Sequence, residues 1–190
     1  MGFIDEAAGG GGPPILKFNK EACYAKSGSD ESFNDQEFVA DVLAARGGYI
    51  KFGEKGQAPE KHLGSIFPKD EAPLRSSLGN TDKSQWTKGR FSDEPEDPWT
   101  AVIELPLKHR QTGEEFLSCA QSKTSLAAAR DFLAQARRVP QGFNPVIRLS
   151  VGSFKSKFGA IKKPVLSIVG KVPTNGSGKD EPPFSDSLEF

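Results

Sequence analysis

The 190-residue chain has few cysteines and histidines, no long apolar run and no net charge. Its two cysteines, Cys23 and Cys119, lie far apart and form neither a disulfide framework nor a CxxC pair. Combined with the two histidines, they match no zinc-ligand spacing. No apolar run approaches the ~18–20 residues that span a bilayer, and the basic start of a signal peptide is missing. We therefore expect a soluble intracellular protein with no membrane partner and no metal.

Residues that could carry catalysis are also sparse. His62 and His109 have no nucleophile beside them, and the GSGK segment at 176–179 lacks the first glycine and the final Ser/Thr of a phosphate-binding loop. The acidic run at 93–97 contains Pro95 and is followed by Pro98, which is typical of a solvated loop. The sequence therefore predicts neither an enzyme nor a cofactor.

The zero net charge conceals a charge asymmetry along the chain. Residues 116–173 contain ten basic residues and one acidic residue, Asp131, which gives +9. Residues 174–190 contain one lysine and four acidic residues, which gives −3, so the first 115 residues supply −6. A positive segment beside acidic ones is typical of a protein that holds a polyanion.

Patterns of apolar residues predict a mainly β domain with one helix. Strands are expected at 15–19, 49–52, 99–107, 115–120, 145–151 and 164–172, and a helix at 125–139 capped by Thr124 or Ser125. Residues 38–46 fit either a strand followed by a glycine turn or a helix, and we favour the strand. We expect a flexible N-terminus at 1–14, one domain at 15–172 with a long loop at 53–98, and a disordered acidic tail at 173–190.

The order of these elements is that of the oligonucleotide-binding (OB) fold. A strand, a long loop, a two-stranded hairpin, a helix and two further strands predict a five-stranded barrel with its helix between the third and fourth strands. The loops at 53–98 and 152–163 would then frame the ligand groove. A generic α+β domain and a β-sandwich with one helix are the alternatives.

Aromatic and basic residues alternate in the loop at 152–163. Single-stranded nucleic acid needs both, because cations follow the phosphates and rings stack on unpaired bases. In an extended hairpin Lys155 and Lys157 would share one face, and Phe154 and Phe158 the other. The alternative is that both rings pack inward while the lysines are solvated. The loop at 53–98 repeats the mixture around Trp86, and the predicted nucleic-acid-binding set is Trp86, Lys88, Arg90, Arg148, Phe154, Lys155, Lys157, Phe158, Lys162 and Lys163.

The acidic segment 180–190 closes on an aromatic residue. Together with the OB-like order of elements over 48–172, it resembles the single-stranded DNA-binding proteins of bacteriophages and bacteria. That resemblance implies sequence-independent binding of single-stranded DNA during replication or recombination, in the cytoplasm of a bacterial host cell. It also implies that Asp186, Glu189 and Phe190 recruit replication or recombination proteins, or compete with DNA for the body. Serine and proline dilute the acidic segment relative to that family.

A second hypothesis uses the same charges differently. The chain could be a phage interaction or structural protein, such as an assembly factor or an inhibitor of a host protein, whose basic surface binds an acidic protein. The choice between DNA and RNA stays open, as does self-association into a homo-oligomer.

Overall fold

A computed structural model describes residues 12–53, 57–88, 93–157 and 159–174. Within these ranges the chain forms β-strands, one α-helix and two short 3₁₀ helices, at Arg75–Leu78 and Lys83–Gln85. The strands and the α-helix are β1 (Ile15–Phe18), β2 (Tyr24–Lys26), β3 (Glu37–Ala40), β4 (Arg46–Lys51), β5 (Glu60–Ser65), β6 (Trp99–His109), β7 (Glu115–Ala120), α1 (Lys123–Ala136), β8 (Phe143–Ser156) and β9 (Gly159–Pro173). The prediction of a mainly β protein with one helix is confirmed.

β6 is the strand around which the sheet branches. β7 pairs along one side of it, while β4 and then β3 share the other side. The pairing with β4 stops at Glu104 and the pairing with β3 starts at Leu107, so Pro106 lies at the change of partner. The carbonyl of Pro106 accepts the N–H of Asp41 (3.0 Å) in that gap. An interior strand tolerates this proline because its missing N–H faces the break between two partner strands.

The sheet curls so that its two ends approach each other. Its main path runs β2–β1–β7–β6–β3–β8–β9, with β5 attached through β4. At the ends of this path, the hydroxyl of Tyr24 on β2 lies 3.4 Å from the carbonyl oxygen of Val165 on β9. The result is a curled open sheet, a half-barrel.

One hydrophobic core fills the curl. The buried face of α1, formed by Ala129, Phe132, Leu133 and Ala136, joins the inward residues of the sheet in a single cluster. The rings of Phe33, Phe38 and Phe116 lie at its centre, with centroids 5.1–6.2 Å apart; Phe116 meets the other two edge-to-face, and Phe33 and Phe38 are tilted to each other.

His109 completes this aromatic group at the end of β6. Its Nδ1 accepts the backbone N–H of Thr112 (3.1 Å), so Nε2 carries the proton and donates to Gln36 Oε1 at 2.7 Å. His109 is therefore a buried and hydrogen-bonded residue at the edge of the core.

Local predictions agree with the structure better than long-range ones. α1 begins at Lys123, because the side chain of Ser122 rather than Thr124 or Ser125 caps it by accepting the N–H of Ser125 (3.1 Å). The strand interpretation is correct for Glu37–Ala40, but β3 pairs with β6 and β8 and not with β4. Gly47 and Gly48, expected in a turn between the two strands, lie inside β4.

The five-stranded OB barrel is not confirmed. The sheet has nine strands in the described ranges, and the helix follows β7. The stretch predicted as the first groove loop contains β5, which pairs with all of β4. The second predicted groove loop, 152–163, is the end of the β8–β9 hairpin.

In the part of the chain that the structure describes, no helix is long and apolar enough to cross a membrane.

Replacing Phe38 tests the central position of the aromatic core. Phe38 is fully buried and contacts Phe116 and His109, so Phe38→Ala should lower the free energy of unfolding by about 3–5 kcal/mol in urea denaturation. Leu74→Ala is the control, because Leu74 is 72% exposed, and it should change stability by less than about 0.5 kcal/mol. Similar losses in the two variants would contradict this description of the core.

Candidate nucleic-acid interface

Strands β8 and β9 extend beyond the core as a two-stranded hairpin, residues 152–163, here called the arm. Gly152 pairs with Lys163, Phe154 with Ile161, and Ser156 with Gly159. At the tip the Ser156 hydroxyl donates to the carbonyl of Gly159 (3.0 Å), and Gly159 has φ +108°, where a side chain would be strained. The arm is therefore an ordered ribbon with a glycine turn.

The pairing register puts an apolar pair on one face of the arm. Directly opposite residues of an antiparallel pair share a face, so Phe154 and Ile161 lie side by side. They are 40% and 38% exposed, which shows that Phe154 does not pack inward. Lys163 belongs to the same face, since a Cβ on Gly152 would meet its Cε at 3.5 Å. The outer face thus combines an exposed ring, an aliphatic side chain and an ammonium group.

The other face of the arm carries two further lysines. Ser153 pairs with Lys162 and Lys155 with Ala160, so Lys155 and Lys162 are diagonal neighbours on this face. Both are exposed. Lys157 lies in the turn, and Phe158 lies outside the described residues.

Within the described part of the chain, three arm lysines, Lys155, Lys162 and Lys163, lack the acidic neighbours that many other cations of the protein have. Among the described residues, no carboxylate lies within ion-pair distance of Lys155, Lys162 or Lys163. Elsewhere Lys26 pairs with Glu114 at 3.0 Å and Lys61 with Glu104 at 2.9 Å. The sequence contains no acidic residue between Asp131 and Asp180. The arm therefore presents positive charge that the body does not neutralise.

Arg148 on β8 is held by the body of the protein. Its Nη2 donates to Glu37 Oε1 at 2.8 Å, and Arg110 Nη1 donates to Glu37 Oε2 at 2.6 Å. Hydrogen bonds from Arg148 and then Arg110 hold the pKa of the Glu37 carboxyl below its ordinary value. One carboxylate thus bridges two guanidinium groups, and Arg148 is less available to a phosphate than the sequence predicted.

The second predicted group, around Trp86, lies in the connection between β5 and β6. The indole Nε1–H of Trp86 donates to the carbonyl of Asn80 (2.8 Å), and Lys83 lies 5.8 Å from the ring centroid. Lys88 forms an ion pair with Asp93 at 3.1 Å, and Arg90 lies outside the described residues. Trp86 and Lys88 are therefore engaged within their own loop, attached to a different part of the sheet from the arm.

Arg75 organises this loop. Its Nε and Nη2 both donate to the carboxylate of Asp97 at 2.7 Å, and Nη2 also reaches the Asn80 carbonyl at 3.0 Å. Burial raises the pKa of Asp97, but the hydrogen bonds from Arg75 and from the backbone N–H of Trp99, together with the charge of Arg75, outweigh it, and the net shift is downward. The loop is thus closed by its own contacts.

Asp186, Glu189 and Phe190, the predicted partner-binding tail, lie outside the described residues. Sequence reasoning also missed Ile161 and Glu37 as parts of this surface. Their roles depend on cross-strand pairing, and no local pattern signals either of them.

The remaining polar groups do not assemble a cluster for metal chemistry. In the described ranges no three His, Cys, Asp or Glu side chains lie close enough to hold a metal ion. Burial, and then the charge of Glu104, raises the pKa of the Cys119 thiol. Cys119 is therefore protonated near neutral pH and is a poor nucleophile.

Comparison of the chain with protein-family models, with curated proteins and with solved structures gives no significant match. The case for a function consequently depends on the geometry of the arm.

Replacing Glu37 should change how stability depends on pH. Because the folded-state pKa of Glu37 is depressed, its ion pairs stabilise the protein above the unfolded value of about 4.3 and lose this effect as pH falls through the folded value. Glu37→Gln should thus be less stable than the parent at pH 6, and the difference should shrink in acid, as measured by urea midpoints from pH 6 to pH 3.

Glu31→Gln, in an exposed loop, is the control and should differ little from the parent at every pH. A pH-independent difference for Glu37→Gln would show that the charge of Glu37 does not stabilise the fold.

Proposed function

We propose that this protein binds single-stranded DNA without base-sequence preference, through its arm, during DNA replication or recombination. The observation that supports this most is the exposed Phe154–Ile161 pair beside Lys155, Lys162 and Lys163, which have no carboxylate partner among the described residues. A ring can stack on any base, because every base has a π-face, and lysines follow the phosphates whatever the sequence.

Single strands suit this surface better than duplex DNA. Bases in a duplex are already stacked on one another, so an exposed phenylalanine gains a base contact only by inserting between them. An unpaired base can rotate onto the ring without that cost. Lysines on both faces of the ribbon allow the strand to wrap around the arm.

We also propose that the half-barrel is a variant of the OB fold. β4, β6, β7, α1, β8 and β9 follow the order of the predicted OB elements, and the contact between Tyr24 and Val165 brings the ends of the sheet together. In this interpretation β3 is an additional strand between β6 and β8.

The acidic segment is the basis for proposing partners other than DNA. We propose that residues 180–190 recruit replication or recombination proteins in the bacterial host cytoplasm, or compete with DNA for the basic body. Self-association into a homo-oligomer belongs to the same proposal.

A direct test compares labelled oligo-dT with a duplex of equal length by fluorescence anisotropy at two salt concentrations. Contacts of Lys155, Lys162 and Lys163 with phosphates predict a log–log salt slope of about −2 for the single strand, at roughly 0.7 per phosphate. The single strand should bind more tightly than the duplex. Absence of binding at low salt would refute the proposal and favour the hypothesis of an acidic protein partner.

Phe154→Ala isolates the stacking contribution. Loss of one base–ring contact should weaken oligo-dT binding by about 1–3 kcal/mol and leave the salt slope unchanged, because no charge is removed. Phe143→Ala is the matched control: Phe143 lies at the other end of β8 and is 36% exposed, against 40% for Phe154. Equal effects of the two substitutions would show that the arm has no special role.

Removing residues 182–190 tests competition by the acidic segment. The four acidic side chains of the segment would compete with DNA for the arm lysines. Salt screens this attraction, so the deletion should tighten oligo-dT binding most clearly at low salt. The truncation removes two of the four acidic side chains, Asp186 and Glu189. An unchanged affinity at low salt would rule out competition and leave partner recruitment as the role of the segment.

A further inference from the structure

A groove separate from the arm lies between α1, β4 and the segment 66–73. Its volume is about 280 Å³, near the lower end of the range typical of small-ligand sites. The floor is formed by Gly47, Gly48 and Tyr49 of β4 together with residues 101–103 of β6, and α1 forms one wall. The lining is largely apolar.

The rim of this groove is held in place by Arg137 at the end of α1. Its Nη1 donates to the carbonyl of Pro68 (2.6 Å), its Nη2 donates to that of Ile66 (3.3 Å), and its guanidinium lies 5.3 Å from the ring centroid of Phe67. The N–H of Ile66 donates to the carbonyl of Ala45 at 3.1 Å. The segment is thus tied to both α1 and the sheet, and the groove is formed before any ligand arrives.

Gly47 allows the segment 66–73 to pack closely on β4. A Cβ at this position would come within 2.7 Å of Ile66 Cδ1, so a larger residue would displace the side chain of Ile66. The side chain of Ile66 therefore packs directly on Gly47 and forms this part of the groove lining, together with Tyr49.

Two charged groups of opposite sign line different walls. Arg130 on α1 is exposed, and among the described residues no carboxylate lies within ion-pair distance of its guanidinium. Asp70 on the facing segment accepts the N–H of Ala72 through Oδ1 at 3.1 Å, which leaves its second oxygen as an acceptor. Arg130 can therefore donate two hydrogen bonds to an anion in the groove, and Asp70 can accept a hydrogen bond from an N–H group.

We propose that this groove binds a nucleotide. Arg130 would hold the phosphate, the base would lie in the groove against Ile66 and Tyr49, and an N–H on the edge of the base would donate to Asp70. An acidic peptide satisfies Arg130 but is repelled by Asp70, and an apolar peptide leaves both charges unpaired. The inference deepens the proposed function, because the nucleotide would belong to the strand that the arm holds.

The test uses dGMP, whose base edge carries N–H donors, with 2-deoxyribose 5-phosphate as the probe that lacks a base. Calorimetric titration of the full chain should show dGMP binding more tightly, with NMR shifts at the amides of Gly47, Gly48 and Tyr49. Equal affinity for the two probes would overturn the proposal, since only a phosphate site would remain. No binding of dGMP would overturn it as well.

Two matched pairs of variants locate the site. Arg130→Gln should weaken dGMP binding about tenfold, whereas Arg138→Gln, in the turn just after α1 and outside the groove, should change it less than twofold. Ala134→Phe fills the groove from an exposed position that tolerates a larger side chain, and it should abolish binding, while Ala127→Phe, exposed elsewhere on α1, should not. Equal effects within either pair would contradict the site.

The outcomes separate this proposal from the function of the arm. Phe154→Ala should leave dGMP affinity unchanged. Loss of all oligo-dT binding with dGMP binding intact would refute the proposed function and support the groove. A further control is deletion of residues 175–190 in the absence of nucleotide. If this deletion shifts the NMR signals of the groove amides, the acidic segment occupies the groove, and the nucleotide proposal is overturned.

Discussion

The continuous antiparallel pairing of β8 with β9 is the constraint on which the rest of this structure depends. The two strands stay paired from Phe143 and Pro173 to Ser156 and Gly159, with one register shift between Val146 and Ile147. Side chains alternate along a strand, so a slip by one residue would exchange the two faces. The register that buries Ile147 and Leu149 in the core is thus the register that places Phe154 beside Ile161 on the exposed ribbon. Core packing and candidate site are specified by one set of hydrogen bonds.

The charges follow a division between body and arm. In the body, carboxylates offset many cations, as in the bridge that Glu37 makes between Arg110 and Arg148. On the arm, lysines stand in solvent, where water and salt screen their mutual repulsion. Such charges contribute little to folding and remain available to a polyanion, whose bound counterions are released when lysines replace them. A neutral chain can therefore carry a strongly basic ribbon.

Sequence patterns predict those helices and strands that are specified by residues close together in the chain. Helical spacing followed by Pro140 identifies α1, and β-branched runs identify β6, β8 and β9. The alternation of Phe154 and Lys155 predicts a ribbon with distinct faces. The sequence of β5, EKHLGS, has no β-branched residues and no alternating apolar pattern, so sequence patterns do not predict it. It forms a strand because it pairs with β4 along the whole length of β4. The Arg148 guanidinium is oriented by Glu37, which lies 111 residues away in the sequence. No local sequence pattern signals that pairing.

Photocrosslinking tests the central claim most directly, because it reports which side chains touch a bound strand. Oligo-dT carrying 5-bromodeoxyuridine would be irradiated with the full-length protein, and the crosslinked peptides identified by mass spectrometry. Contact between bases and the arm predicts adducts concentrated at Phe154 and in residues 152–163. Adducts that avoid this segment and accumulate at other aromatic residues, such as Phe143 or Trp86, would contradict the account.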